Sequence, residues 1–331
     1  MLTAYFVEVA QKQRKAVIKN YMENKMITLP KSYFYKTITI AMALSFSSYG
    51  ISEAVNLDCI KDQNDPYDFG YVMDLGESKG ACMSDHARPL LQTEDSLDRP
   101  IWKDYAQVAN ISHLGEFYTA EIPIKRIESV IFQLETFKAI VPAAHTQIRL
   151  KFFDDSPVHL VNQNHKSENQ EVVVHDLILS VEAIGAEGFK YDIFKGLGKN
   201  LKTVYRIKTL EGFVKRVVVE RGSPVKQWTM RLSDNEKRKL IVNYLYNSSK
   251  KGFSDVYNTV SLNCTTELLE IIDKSTNNTM RKSVGRLVTL DLYPSIIKPA
   301  LIARGLIGAN DDIEDLANDP SVAHLLTTPN F

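Results

Sequence analysis

An α+β domain, with an antiparallel sheet packed on helices, is predicted by three features of the chain. From His145 to Phe153, Ile148, Leu150 and Phe152 alternate with Gln147, Arg149 and Lys151, the period-2 pattern of a half-buried strand. Val172 to Ile184 is a long apolar stretch, enough for one strand or two. Ser233-Asp234-Asn235-Glu236 has the form of a capping box, and it opens an amphipathic helix through Ile241, Leu245 and Tyr246.

The remaining elements follow in chain order. Residues 55 to about 115 are polar and rich in turn formers, and read as an extension wrapped on the main domain. Arg126 to Ala139 places Ile127, Val130, Ile131, Leu134 and Phe137 at helical spacing, so a core-facing helix is expected there. Asp154-Asp155-Ser156-Pro157 is a turn, and Val158 begins another strand. Val204 to Ile207 and Trp228 to Leu232 are shorter strand candidates. Cys264 to Ile272 reads as the first turns of a buried helix.

Composition bounds the function. The chain has 331 residues, 44% hydrophobic and 24% charged, which suits a folded protein of at most two domains. Its formal net charge is zero, so it carries no electrostatic footprint for nucleic acid. Zinc-finger, Walker and glycine-rich dinucleotide spacings are missing. His86, His113, His165, His175 and His324 form no metal-ligand pattern. Neither a metal nor a cofactor is expected.

The N-terminus has the layout of a secretory signal. Lys31 and Lys36 precede an apolar run from Thr37 to Phe46, and Ser52 and Ala54 supply small residues before Val55. Residues 1–54 are therefore expected to be removed, the mature chain beginning at Val55; Met26 is an alternative start that shortens the long polar lead. Without the leader the chain has 33 basic and 37 acidic residues, a net of −4. A periplasmic location follows. Cys59 and Cys82 can pair there, or all three cysteines can remain thiols; pairing leaves Cys264 as the odd one.

Cys264 is also the chemically suggestive one. A cysteine in the first turn of a helix feels the positive end of the dipole and unsatisfied backbone N–H groups, both of which favour thiolate. Its own N–H can serve as an oxyanion donor. A histidine on an adjacent strand, His145, would complete the pair as base. Asn263 can cap the helix, and Tyr257 can donate to an oxyanion or simply pack. For the residue that orients the imidazole, Glu182 and His159 compete. His159 lies just past the turn, on the strand expected to neighbour His145.

These residues sit in a wider pattern. The string Tyr257-Asn258 followed by Asn263-Cys264-Thr265-Thr266 resembles the signature of the Lnb N-terminal periplasmic domain family. Ala144 to Phe152 is similar to that family's histidine strand, and Ser180-Val181-Glu182-Ala183 to its following strand. Pro294 through Ile307 resembles the segment that closes the domain, so the likeness spans residues 117–310, with 311–331 as a tail. The resemblance implies a circularly permuted papain-like fold (NlpC/LRAT-like), His145 preceding Cys264 by 119 residues, and acyl chemistry through a thioester. Two departures stand out. The spacing from His145 to Glu182 is long, with Val158 to Val173 inserted where a direct hairpin is expected. Nor does a transmembrane segment follow the site, so an enzyme acting on membrane lipid would dock peripherally.

Three functions remain open on this reading. One is a thiol acyltransferase or hydrolase acting on a lipoprotein or lipid acyl group. Another is a cell-wall amidase or endopeptidase acting on peptidoglycan. The third is a non-catalytic binding module. An apolar cleft favours the first and a polar groove the second.

Overall fold

The structure, a computed structural model, describes residues 59–60, 62, 64–84, 88–92, 104–137, 144–164, 171–189, 196, 198, 200–259, 262–276 and 297–327. The expected signal segment and its cleavage site lie outside the described residues.

The fold is mixed α+β, built on one large sheet. Its strands are β1 (Leu91–Gln92), β2 (Ala106–His113), β3 (Glu116–Ile122), β4 (Ile127–Thr136), β5 (Ala144–Phe152), β6 (Val158–Asn162), β7 (Glu171–Val174), β8 (Asp176–Ile184), β9 (Lys202–Thr209), β10 (Val225–Thr229) and β11 (Glu314–Asp315). The order across the sheet is β11-β10-β4-β5-β8-β9-β2-β3-β6-β7, with β1 on β2. Every pairing is antiparallel except β9 with β2, which meet in parallel through Ser112 and Lys208.

Where a helix was expected over 126–139, Ile127–Thr136 form a strand. A bulge between Ile127 and Ser129 shifts the β4–β5 register. It puts Ile127 and Val130 into the same core as Phe132 and Leu134. The apolar positions therefore fall three apart by accident of the bulge, and imitate a helical stripe. The other face of β4 is buried as well, through Gln133 and Glu135, so the alternation that marks a one-sided strand is blurred. The long stretch near 172–184 divides into β7 and β8.

Helices cover both faces. On one side lie α2 (Asp234–Lys251), α3 (Cys264–Ser275) and α4 (Ile297–Ala303); on the other lie α1 (Leu210–Phe213), a π-helical turn over Val214–Glu220, and α5 (Ala323–Thr327). The main core joins Ile148, Leu150, Leu179 and Ile207 of the sheet to Tyr244 and Leu245 of α2 and to Leu268 and Ile272 of α3. Burying each aliphatic side chain stabilises the fold by about 1.5–3 kcal/mol. Ser233 caps α2 as a capping box: its hydroxyl accepts from the Glu236 N–H, and its N–H donates to the Glu236 carboxylate at 2.9 Å. The helix ends at Gly252, whose φ of 47° suits a residue without Cβ.

On the opposite face a smaller cluster sets Ile178 against Phe213, Val214, Leu316 and Leu325. The C-terminal segment is fastened there by Arg149, which is fully buried and donates to Asp176 at 2.7 Å, Asp319 at 2.6 Å and Ser321 at 2.9 Å.

A third cluster docks the segment before β1: Phe69, Tyr71 and Met73 pack on Ile184, Val204 and Phe253. Cys59 and Cys82 form a disulfide across this segment, with Cα atoms 5.3 Å apart, and Cys264 is the free cysteine. For the 23-residue separation, the chain-entropy model gives about 3 kcal/mol of stabilisation. Dithiothreitol is expected to lower the urea midpoint accordingly, and thiol counting on the denatured, unreduced chain to give one thiol. An unchanged midpoint would show that the bridge is idle.

Candidate active site

The site forms where the start of β5 meets the start of α3. Asn263 sets the helix in place: its side-chain oxygen accepts from the N–H groups of Thr265 at 2.9 Å and Thr266 at 3.0 Å, and its amide donates to the Thr259 carbonyl at 2.8 Å. The Asn263 N–H donates in turn to the Thr266 hydroxyl at 2.9 Å, closing a capping box. That cap engages the N–H groups of Thr265 and Thr266, not that of Cys264. One turn on, Glu267 accepts from the Tyr205 hydroxyl and, at 2.7 Å, from Lys251. A carboxylate in the first turn complements the helix dipole and ties α3 to β9 and α2.

Two successive strand residues meet two successive helix residues. Thr146 lies 3.1 Å from Thr265 through their hydroxyls, and this contact brings the preceding residues, His145 and Cys264, near enough for their charges to act on each other. Cys264 is 5% exposed, whereas His145 is half-buried and so keeps access to solvent.

The charges around this pair favour an ion pair. Burial pushes the Cys264 thiol up, but the His145 charge, aided by Thr146, brings it down to about 7. Burial alone would lower the His145 imidazole; the Cys264 thiolate and the carboxylates of Glu182 and Glu135 raise it instead. The two titrate as a unit. Alkylation by iodoacetamide is expected to accelerate as pH rises through about 7, well below the ordinary thiol range. A profile that rises only above pH 8.5, the value of an unperturbed thiol, would mean the pair does not form.

The sheet register explains which carboxylates His145 feels. Glu135 of β4 sits directly opposite it. On the other side the β5–β8 ladder runs to Gln147 opposite Ser180, so two residues further on His145 comes level with Glu182. The hydrogen bonds of Glu182 come from elsewhere: it accepts from Ser180 at 2.7 Å, Arg206 at 2.9 Å and Lys208. Burial pushes the Glu182 carboxyl up, yet Lys208 and Arg206, with His145, hold it well below the usual range. Glu182 therefore acts on His145 as a fixed negative charge, not as a direct acceptor.

The other sequence candidates divide. Tyr257 is buried, and its N–H donates to the Leu201 carbonyl at 2.9 Å. His159 is elsewhere. The strand it occupies, β6, pairs with β3 and β7, so β8, β9, β2 and β3 all lie between it and β5. Its side chain is 52% exposed and meets Glu171 at 3.3 Å. The expectation that β6 neighbours His145 is thus corrected, because the chain leaves β5 for the far edge of the sheet before returning as β8. Thr146 and Glu135 were not singled out from sequence. Thr146 had one usable signal, namely that it follows His145 as Thr265 follows Cys264. Among the described residues there is no metal-binding cluster of His, Cys, Asp or Glu, and no helix long and apolar enough to cross a membrane.

A family profile described as the Lnb N-terminal periplasmic domain matches residues 114–298, more than half of the chain. The chain belongs to that family. The match runs from the β2–β3 turn to the start of α4, and takes in both His145 and Cys264. No curated protein and no solved structure matches the chain. Membership of the Lnb N-terminal periplasmic domain family places the domain in the periplasm by description, and the Cys59–Cys82 disulfide suits such an oxidising compartment.

Proposed function

We propose that this Lnb N-terminal domain protein is an exported thiol enzyme of permuted papain-like architecture, delivered by the signal segment 1–54, that moves or hydrolyses an acyl group through a thioester on Cys264. One arrangement carries the reading: the Thr146–Thr265 contact sets a helix-opening cysteine beside a histidine that the sheet register places level with two carboxylates, Glu135 and Glu182, and the charge of His145 draws the thiol down to about 7. The thiolate attacks the acyl carbonyl and forms the C–S bond. As the C–O or C–N bond breaks, the His145 imidazolium gives its proton to the departing alcohol or amine. Water or an acceptor amine then attacks the thioester, His145 takes its proton, and the thiolate is restored. The Cys264 N–H, which the Asn263 cap does not use, is the proposed oxyanion donor. Glu182 and Glu135 hold the imidazolium electrostatically, and Thr146 orients the sulfur.

A second reading has an observation of its own. A cavity bordering the two cations that hold Glu182, though lined by neither Cys264 nor His145, carries largely charged side chains, surroundings that would suit an amidase acting on peptidoglycan. Intact-mass spectrometry of the purified chain, offered a 4-nitrophenyl butyrate ester and separately a muropeptide amide, distinguishes the two. An adduct on Cys264 from the ester supports the acyl-ester reading, and cleavage of the amide alone supports the second. Adduct and cleavage both missing would leave a binding module.

A further inference from the structure

His145 stands between two carboxylates, and they are not held alike. On the β8 side, Glu182 accepts from Ser180 and is ion-paired with Lys208 and, at 2.9 Å, with Arg206. Loss of either cation leaves it the other. On the β4 side, Glu135 faces His145 directly in the ladder, and its neighbour across β10 is the buried, apolar Val225. Among the described residues, the cation paired with Glu135 is Arg221, at 3.1 Å. The Glu135 side chain is 4% exposed and that of Arg221 44%. A carboxylate so deeply covered takes up a proton unless an opposite charge holds it. The imidazolium cannot do this alone, because the Cys264 thiolate and Glu182 already draw on its single charge. The ionisation of Glu135 therefore rests on one partly exposed arginine.

The backbone ties that arginine to the strand end it serves. Arg221 closes the π-helical turn, and two residues later the Ser223 N–H donates to the Val217 carbonyl at 3.0 Å. The N–H of Thr136, which follows Glu135, donates to the Pro224 carbonyl at 3.0 Å. The charged groups that act on the ring are thus Cys264 of α3, Glu135 of β4 and Glu182 of β8. Behind the carboxylates stand Arg206 and Lys208 of β9, with Arg216 and Arg221 from the π-helical turn and its end.

We propose that Arg221 is a positioning residue for the thiol–imidazole pair: it keeps Glu135 ionised and level with His145, and so sets how firmly the ring holds its proton. Burial lowers the imidazole, and Cys264, Glu182 and Glu135 together raise it above its ordinary value. This effect needs no chemistry at Cys264. Its bearing on turnover rests on the thiol-enzyme reading.

The test is an NMR titration of His145 in histidine-labelled protein, in the Cys264→Ser background so that the ring titrates without the thiol. The chain has seven histidines, and a His145→Gln spectrum assigns the signal. Glu135→Gln should lower the His145 value by about one unit. Arg221→Gln should lower it equally, because Glu135 then takes up a proton, and Arg221→Lys should stay near the parent. The double variant Glu135→Gln/Arg221→Gln should match Glu135→Gln, as when one residue acts through the other. An unchanged or raised value in Arg221→Gln overturns the proposal, and so does a double variant that departs clearly from Glu135→Gln. If Arg221→Gln does not fold, the double variant decides, since it buries no lone carboxylate. Folding restored, with the His145 value of Glu135→Gln, supports the proposal; a double variant that stays unfolded overturns it. Alkylation of Cys264 at pH 7 should fall by about tenfold in Arg221→Gln with the native thiol, as one unit implies. A lowered His145 value without any adduct on wild-type Cys264 would end the thiol reading and leave the role of Arg221. An adduct, with a His145 value that Arg221→Gln does not move, would end that role and leave the thiol reading.

Discussion

Cys264→Ser is expected to remove turnover of the ester almost completely, by roughly 10⁴-fold or more, as loss of a covalent nucleophile does elsewhere. The fold should survive, because a hydroxyl is nearly isosteric with the thiol and the Asn263 cap is untouched. His145→Ala should slow both turnover and alkylation. Without the imidazolium, burial is the largest influence left on the thiol, and it disfavours thiolate. Glu182→Gln should have a smaller effect, since Glu182 acts on the ring through space and Glu135 remains. Esterase assays together with alkylation rates across pH 5–9 read all three. A Cys264→Ser protein that retains wild-type turnover would end the proposal that Cys264 is the nucleophile.

Arg149→Met is expected to cost about 3–5 kcal/mol in urea unfolding, the usual penalty for taking one partner from a buried ionic group. Asp176 and Asp319 would then face each other in a largely buried site, with no cation between them. The C-terminal segment should also become protease-sensitive, because Arg149 is its main polar fastening to the sheet. Acid should loosen the same fastening. Burial pushes the Asp319 carboxyl up, but bonds from Ser321 and Arg149 bring it down to about 2. A lowered folded value means that its contribution is complete above the ordinary carboxylate range, near 4, and disappears as pH falls from there towards about 2. Limited proteolysis of the two proteins across that interval, with release of residues near 311–331 as the readout, checks both claims. An Arg149→Met protein as stable and protease-resistant as wild type would refute them.

The site was more legible than the sheet that carries it. Asn263, Cys264, Thr265 and Thr266 are contiguous, so a local rule about helix caps was enough to place the thiol at a helix start. His145 lies on a strand whose alternation is clean, and its pairing with Cys264 depended on the resemblance to a family. Strand order was not readable in the same way. Nothing in residues 153–175 says that the chain crosses to the far edge and back, and this detour is what lengthens the spacing from His145 to Glu182 and carries His159 away. The helix expected near 127–137 failed for a physical reason: a bulge and a sheet buried on both faces remove the period-2 signature together. Buried polar groups such as Arg149 and Gln133 deepened the confusion, because paired across a covered face they look like surface residues in sequence.

The boundary of the family match has a practical consequence. A polypeptide trimmed to residues 114–298 would keep Cys264 and His145 but lose β2, the strand wedged between β9 and β3. Both neighbours would then present bare N–H and C=O rows, the template on which chains zip together into aggregates. The hydrophobic residues of α5 and the polar clamp around Arg149 would be lost as well, baring Ile178 and Phe213. What is recognisable as a family is therefore smaller than what can fold, and a recombinant fragment cut at those limits is expected to precipitate where one beginning ahead of Cys59 stays dispersed.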